Sequence, residues 1–377
     1  MSAATAVIPF HRPYRSQRAQ VHLNECLSSG QWSGNGPFGR RCRDYLAKLC
    51  ASAGVFLTPS CTSALEMAAC LLDLQAGDEV IVPSFTFVSS ASSFALLGAR
   101  PVFVDVDPKT LNLDPQRVAE AITPRTRALV AVHYAGIACD LQELNQFGLP
   151  IIEDNAHGLF GSYQDRPLGG QGLMGTLSFH ETKNVSCGEG GALLINHPEW
   201  LQRAEVAQEK GTNRASFLLG LRDKYTWVAP GSSYLLSDVC AALLWANLQD
   251  WESVQRSRLK LWTRYQEELS AWAEARNVRQ PHVPQACQHP AHLYYLLMPD
   301  LEQRQSLMNH LRAHGVQAAY HYQALHLSPM GQRYAAQPSS CPVSENAANC
   351  LIRLPLYADL SLAEQTRILE LVTTWRP

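Results

Sequence analysis

Between residues 55 and 195, short apolar and β-branched runs alternate with stretches of helical periodicity. That alternation leaves little room for anything but βα units feeding a largely parallel sheet. Strands are expected at 55–57, 79–83, 101–104, 128–133, 150–153, 175–179 and 192–195. Helical stretches at 63–72, 89–97 and 115–122 have lengths suited to crossover connections between parallel strands. From 236 to 275 helical periodicity runs without a Gly or Pro, long enough to lead from one domain into the next, and we place the boundary near residue 250. Beyond it the pattern changes to a strand at 293–297, a helix at 301–314, an extended piece at 318–322 and a final helix at 362–374. The expected architecture is a large α/β domain over 1–250 and a smaller α+β domain over 251–377.

Composition excludes several classes. Charged residues make up 17% and apolar residues 46%, the balance of a chain that buries a core and is not disordered. With 31 Lys and Arg against 33 Asp and Glu, the chain lacks the basic footprint of a nucleic-acid or membrane-surface binder. The 11 cysteines are odd in number, scattered, and never spaced as C-x-x-C or with His as in a zinc finger, so reduced thiols and no metal site are expected. Neither a secretory leader nor an apolar run of roughly 18 residues is apparent, which points to a cytoplasmic protein without a membrane span.

Gly34-Asn35-Gly36-Pro37-Phe38-Gly39 fits the G-x-G-x-x-G pattern of dinucleotide loops. No apolar strand precedes it, Pro37 stands where a helix should open, and no βαβ unit with an acidic residue at its second strand follows. Nicotinamide-cofactor binding is not expected.

The strongest local signal is Ser178-Phe179-His180-Glu181-Thr182-Lys183-Asn184, followed at once by Gly188-Glu189-Gly190-Gly191 and a new apolar run. A lysine just after a strand, in a Gly-flanked loop, can be partly desolvated, which lowers its pKa and makes the amine nucleophilic enough to form a Schiff base. The chain has only six lysines; Lys48 and Lys260 lie in amphipathic patterns and Lys109 in a turn, where solvated charge is the better reading. Lys210 and Lys224 stay undecided on local context.

Upstream, Ile151-Ile152-Glu153-Asp154-Asn155-Ala156-His157 is an apolar strand ending in carboxylates and then an imidazole. Ligands collect beyond the carboxyl ends of parallel strands, so an acid there faces the expected site. If the cofactor is pyridoxal phosphate, a carboxylate must keep the pyridine nitrogen protonated, and Asp154 suits that need. Asp154 could instead cap a helix or share a metal with His157, itself often a plain loop or core residue.

Thr58-Pro59-Ser60-Cys61-Thr62-Ser63-Ala64-Leu65-Glu66 puts small hydroxyls between a strand and a helix, where free N–H groups can hold a phosphate. An ordinary cap with a box from Ser63 to Glu66 is the competing reading. Phe87 follows another strand and could stack on a planar ring or pack in the core.

Lysine after a strand, acid at a strand end about thirty residues earlier, a phosphate-type turn and a trailing α+β domain together resemble fold-type I pyridoxal phosphate enzymes. More narrowly, the chain is similar to the DegT-type family of nucleotide-sugar aminotransferases. The likeness runs from Ile8-Pro9-Phe10 to the last helix through SSGQWSGNGPFGRR, TPSCTSALEMAA, GDEVIVPSFTFVS, VHYAGIACD, SFHETKN with GEGG, EKGTNR, DKYTW, GSSYL, HYQALH and RLPLY.

This resemblance implies that Lys183 holds pyridoxal 5'-phosphate covalently and then shuttles a proton. Asp154 is implied as the ring-nitrogen partner, His157 as a neighbour of the ring hydroxyl and Phe87 as the stacking aromatic. Thr62, Ser63 and Ser178 are implied phosphate contacts, and His326 is placed near the reacting sugar or the donor carboxylate. Ser233 stands where many relatives carry an Asn that reaches the neighbouring subunit's phosphate, so that contact is open here; Asn155 replaces a more usual Ala. The implied reaction moves an amino group from L-glutamate to C4 of a dTDP-4-keto-6-deoxyhexose in a homodimer with shared sites. Rival readings are another nucleotide keto sugar, a dehydratase with the same cofactor, which in the family goes with loss of the lysine, and a decayed sugar-nucleotide binding or regulatory protein.

Overall fold

The computed structural model describes residues 7–218, 220 and 224–376. Its centre is one sheet of seven strands: β1 (Gly54–Thr58), β2 (Glu79–Pro83), β3 (Arg100–Val104), β4 (Thr126–Val132), β5 (Ile151–Asp154), β6 (Met174–Ser178) and β7 (Gly191–Ile195). Their order is β1-β7-β6-β5-β4-β2-β3. All seven expected strands are present, each within about two residues of its expected bounds. β3, β2, β4, β5 and β6 pair in parallel, whereas β7 runs antiparallel to both β6 and β1. Because β7 is reversed, its first residue Gly191 lies beside the last residues of its neighbours, Thr58 and Ser178. The carboxyl ends of β1 and β6 and the start of β7 therefore meet at one edge.

The sheet is covered on both faces, which is why its strands read as unbroken apolar runs. Val80 and Val82 pack with Leu65, Met67 and Phe94 on one side, and Ile81 between them packs with Leu129, Val118 and Leu144 on the other. Each such side chain contributes about 1.5–3 kcal/mol by burial. The covering helices Cys61–Leu71, Ser89–Ala95 and Pro115–Ala121 match the expected ones, except that the first starts two residues early and the second ends two residues early.

The forty-residue helical run divides. Helix Asp238–Leu248 packs with helix Pro37–Leu49 through Ala241, Leu244, Cys42 and Leu46. After Gln249 and Asp250, helix Trp251–Glu268 turns to a second core, where Leu261, Trp262 and Tyr265 meet Leu296 and Ile352. That core contains a two-stranded antiparallel sheet of β8 (Tyr294–Leu297) and β9 (Leu351–Leu354), with helices Leu301–Ala313 and Leu362–Thr374. β9 was not expected. The extended piece at 318–322 forms only a single bridge, Ala319 to Arg353. Ile8 also belongs to the second core and bridges Val316.

All 11 cysteines are free. No helix among the described residues is long and apolar enough to cross a membrane.

Candidate active site

A cavity of about 580 Å³ opens at the sheet edge where β1, β5 and β6 end, and the second core closes its far wall. On the first wall, β1 gives way to the turn before helix Cys61–Leu71. Ser60 is extended there and caps that helix, accepting a hydrogen bond from Ser63 N at 3.0 Å. The cap is thus Ser60, and the box from Ser63 to Glu66 does not form, because Ser63 already lies in the first turn. Hydroxyls gather around this N-terminus: Thr62 Oγ1 lies 2.7 Å from Ser89 Oγ, and Ser60, Thr62, Ser89 and Ser178 all line the cavity. First-turn N–H groups with no helical acceptor, together with the helix dipole, make this end suited to an anion.

Lys183 lies in the return from β6 to β7, a loop fixed by Lys183 N to His180 O at 2.9 Å and Phe179 N to Gly190 O at 2.8 Å. A β-carbon at Gly191 would overlap the backbone of Ser60 and Cys61, so that strand can approach the anion turn only as glycine. Burial lowers the Lys183 pKa to about 8, against the opposing pull of Cys61 and Asp154. Lys183 is the one lysine lining the cavity among the described residues. Lys210 pairs with Glu209 at 3.8 Å.

Asp154 ends β5 with both oxygens engaged: Oδ2 accepts from Ser90 Oγ at 2.7 Å and Oδ1 from Ala156 N at 3.2 Å. Ser90 Oγ is 2.8 Å from Thr86 Oγ1. Residues 156–160 form turns and no helix, so Asp154 has no helix to cap. Among the described residues no group of three or more acidic, His or Cys side chains could hold a metal ion.

Several rings, His292 buried and His157, His321 and Tyr322 half-buried, form the wall beyond. His157 stacks on His292 at 4.3 Å and lies parallel to His321 at 6.1 Å, while His321 stacks on Tyr322 at 3.9 Å. Burial holds all three imidazoles well below the ordinary histidine pKa, hence neutral. His292 Nδ1 donates to Asn184 Oδ1 at 3.0 Å and His321 Nδ1 is 3.1 Å from Tyr134 Oη, but His157 Nδ1 is buried without a partner. Phe87 is 55% exposed at the mouth, its ring 6.2 Å from Tyr322. His11 reaches over from the N-terminal segment and donates from Nε2 to Glu181 O at 2.7 Å.

The structure therefore brings Lys183, Asp154, His157, Thr62, Phe87 and Ser178 to one cavity. Ser63 stands behind the lining, its hydroxyl 3.1 Å from Ser60 Oγ. His326 is not brought there. Its Nδ1 lies 2.7 Å from Ser84 Oγ and its Nε2 3.2 Å from Glu345, so both ring nitrogens brace the chain. The histidine of that segment that lines the cavity is His321. Ser233 is exposed, bridges Glu209, and does not line the cavity of its own chain. Asp223, which opens the DKYTW segment, lies outside the described residues. Ser60 belongs to the hydroxyl segment read from the sequence, but sequence reasoning missed Ser89, His292, His321, Tyr322 and Arg353 in the lining. Of these, HYQALH contains two, RLPLY one and GDEVIVPSFTFVS ends on Ser89, whereas His292 lies in no such segment.

The Gly34–Gly39 stretch takes no part in the cavity. Pro37 does open a helix, against expectation, because proline suits the first helical position. A helix, Ala19–Ser29, precedes it in place of a strand. The N-terminus of helix Pro37–Leu49 is occupied by the protein's own Asp238, which accepts from Phe38 N at 3.2 Å and Gly39 N at 2.6 Å.

Residues 13–373 match the family model described as the DegT/DnrJ/EryC1/StrS aminotransferase family. Among solved structures, the aminotransferase TlmJ from Streptoalloteichus hindustanus is 30% identical, with 98% of each chain covered and a TM-score of 0.89. The putative sugar aminotransferase Spr1654 from Streptococcus pneumoniae, in its PMP form, is 26% identical over 97% of this chain and 98% of that one, with a TM-score of 0.89. DesV from S. venezuelae is 30% identical over 95% of this chain and 94% of that one, with a TM-score of 0.86.

Proposed function

The chain belongs to the DegT/DnrJ/EryC1/StrS aminotransferase family, whose enzymes use pyridoxal phosphate, and on that footing we propose the reaction it carries out. It moves the amino group of L-glutamate to C4 of dTDP-4-keto-6-deoxy-D-glucose, giving dTDP-4-amino-4,6-dideoxy-D-galactose. The observation that carries this reading is the meeting of Lys183 and Asp154 in one cavity beside a hydroxyl-rimmed helix N-terminus.

The residues present fit the cofactor. The N-terminus with Ser60, Thr62 and Ser178 suits its phosphate, Asp154 suits its ring nitrogen, and the unpartnered His157 Nδ1 suits a ring substituent. When bound, the cofactor supplies an electron sink that makes the amino donor's α proton acidic. Lys183 then takes and returns that proton, a task for which an amine held near a pKa of about 8 is better placed than an ordinary lysine. Asp154, fixed by Ser90 and Ala156, holds a proton on the ring nitrogen. The stacked rings of His157, His292 and His321 keep the wall neutral and exclude water.

In this reading residues 1–250 form the large cofactor-binding domain and 251–377 the small α+β domain that closes over it. The enzyme works in the cytoplasm as a homodimer, an arrangement supported by the exposed apolar side chains of Tyr225, Trp227 and Val228. A decayed binding protein is disfavoured by the joint presence of Lys183, Asp154 and the hydroxyl-lined turn. The test is incubation with L-glutamate and dTDP-4-keto-6-deoxyglucose followed by NMR of the product. An axial C4 amine supports the reading; an equatorial amine, or no amination, overturns it.

A further inference from the structure

Arg353 is the cavity's unexplained charge. It lies in β9 between the buried residues Ile352 and Leu354, so its position is set by the second core. Its guanidinium lies 4.6 Å from the centre of the Phe10 ring and donates from Nη2 to Tyr320 O at 3.3 Å. Nε is buried with no hydrogen-bond partner. Among the described residues no carboxylate pairs with it; the groups that support its charge are the phenols of Tyr134 and Tyr322. The carboxylates in the cavity lining are Asp154, committed to Ser90 and Ala156, and Glu189, which lies 3.7 Å from His180. A half-buried guanidinium with an unsatisfied N–H in a neutral wall is stabilised by an anion brought in from solution.

We infer that Arg353 binds the α-carboxylate of the amino donor. This rests on the aminotransferase reading and names the donor contact within it. An α-amino acid carries its carboxylate on the same carbon as the reacting nitrogen, so the anion must fall beside the lysine amine. Arg353 lines the same cavity as Lys183, from the opposite core. A keto sugar carries no charge near its reacting carbon; a nucleotide's charge lies on the diphosphate, several bonds away. The fork of a guanidinium also suits a planar carboxylate.

The test uses cofactor-loaded wild type, R353Q and R353K in separate titrations. L-Glutamate is followed by loss of the bound cofactor's long-wavelength absorbance, and 2-oxoglutarate and dTDP are followed calorimetrically. R353Q should raise the glutamate and 2-oxoglutarate dissociation constants roughly 100-fold, and R353K, which keeps charge but not the fork, roughly 10-fold, with dTDP within about 2-fold of wild type. If R353Q does not fold, R353K decides alone. Unchanged dicarboxylate binding, or an equal loss of dTDP binding, overturns the assignment. Failure of wild type itself to respond to glutamate would instead count against the aminotransferase reading.

Discussion

Glu153 and Asp154 are consecutive in β5 yet serve opposite sides of the sheet. Asp154 lines the cavity, whereas Glu153 is fully buried away from it, accepting from Gly169 N at 2.7 Å, Gln171 N at 2.7 Å, Gly172 N at 2.6 Å and His133 Nε2 at 2.9 Å. His133 Nδ1 accepts from Cys139 N at 3.1 Å, so the proton it shares with Glu153 is on Nε2. The period-2 geometry of a strand thus divides two acids into a structural one and a functional one.

That division is testable by a pair of variants. Glu153→Gln sets an amide among donors that need an acceptor, and should lower unfolding free energy in urea by about 3 kcal/mol while leaving the folded enzyme active. Asp154→Asn should keep stability within about 1 kcal/mol and reduce turnover on the order of 100-fold or more. The reverse pattern would exchange the roles assigned to these residues.

Lys183 is expected to titrate far below an ordinary lysine. In cofactor-free protein, acylation of Lys183, followed by peptide mapping against pH, should rise through a midpoint near pH 8. A midpoint near that of the other lysines would contradict the desolvated setting. The folded pKa is depressed, so the unfolded chain binds the extra proton between about pH 8 and the ordinary value of 10.5, and burying Lys183 opposes folding at neutral pH. Lys183→Ala should therefore melt no lower than cofactor-free wild type while losing both the cofactor's long-wavelength absorbance and turnover.

Much of the sheet was legible because each strand is a short apolar run bounded by turn residues. The direction of β7 was not, since an apolar run reads the same both ways and only the tight return through 179–190 reverses it. β9 escaped because helix Pro342–Cys350 runs directly into it without a turn signal. Within the site, Asp154 was legible as a strand end and Lys183 as the lysine of the Gly-flanked loop after a strand, while Ser178 came from the family resemblance. His292, His321 and Arg353 were not, although the last two lie in HYQALH and RLPLY, since the place of each depends on how the second core packs against the first. The resemblance points to His326 within HYQALH, and only its contacts with Ser84 and Glu345 show that the cavity histidine of this segment is His321.

The stacked histidines predict an acid limit. Burial depresses the folded pKa of His157, His292 and His321 below the ordinary 6.5, so the unfolded chain takes up protons first as pH falls. Their stabilising contribution is complete above pH 6.5 and declines below it, and His11, lowered to about 4, follows the same course. Each fully engaged imidazole adds about 1.4 kcal/mol per pH unit to the slope. His289 is likewise lowered to about 4, so urea unfolding of cofactor-free protein between pH 6 and 5 should show uptake of about four protons, and His157→Gln should remove one of them. A slope unchanged by His157→Gln would sink this account.

The G-x-G-x-x-G stretch provides the last prediction. Phosphate-binding loops of this pattern need free N–H groups at a helix start, but here Asp238 already accepts from Phe38 and Gly39 and offers its charge to the helix dipole. Gly36 is required for a different reason than in a nucleotide site: a β-carbon there would overlap the Asp238 carboxyl. Asp238→Ala leaves two buried donors unmet and should cost about 2 kcal/mol in urea unfolding. Gly36→Ala should cost a similar amount by pushing the same carboxylate out of place, and the double variant should cost clearly less than the sum, because both changes break one contact. NADH added to wild type should leave its fluorescence unchanged, since the positions its phosphates would need are held by the chain itself. Additive single-variant costs would show that Gly36 serves the backbone turn and not the Asp238 cap.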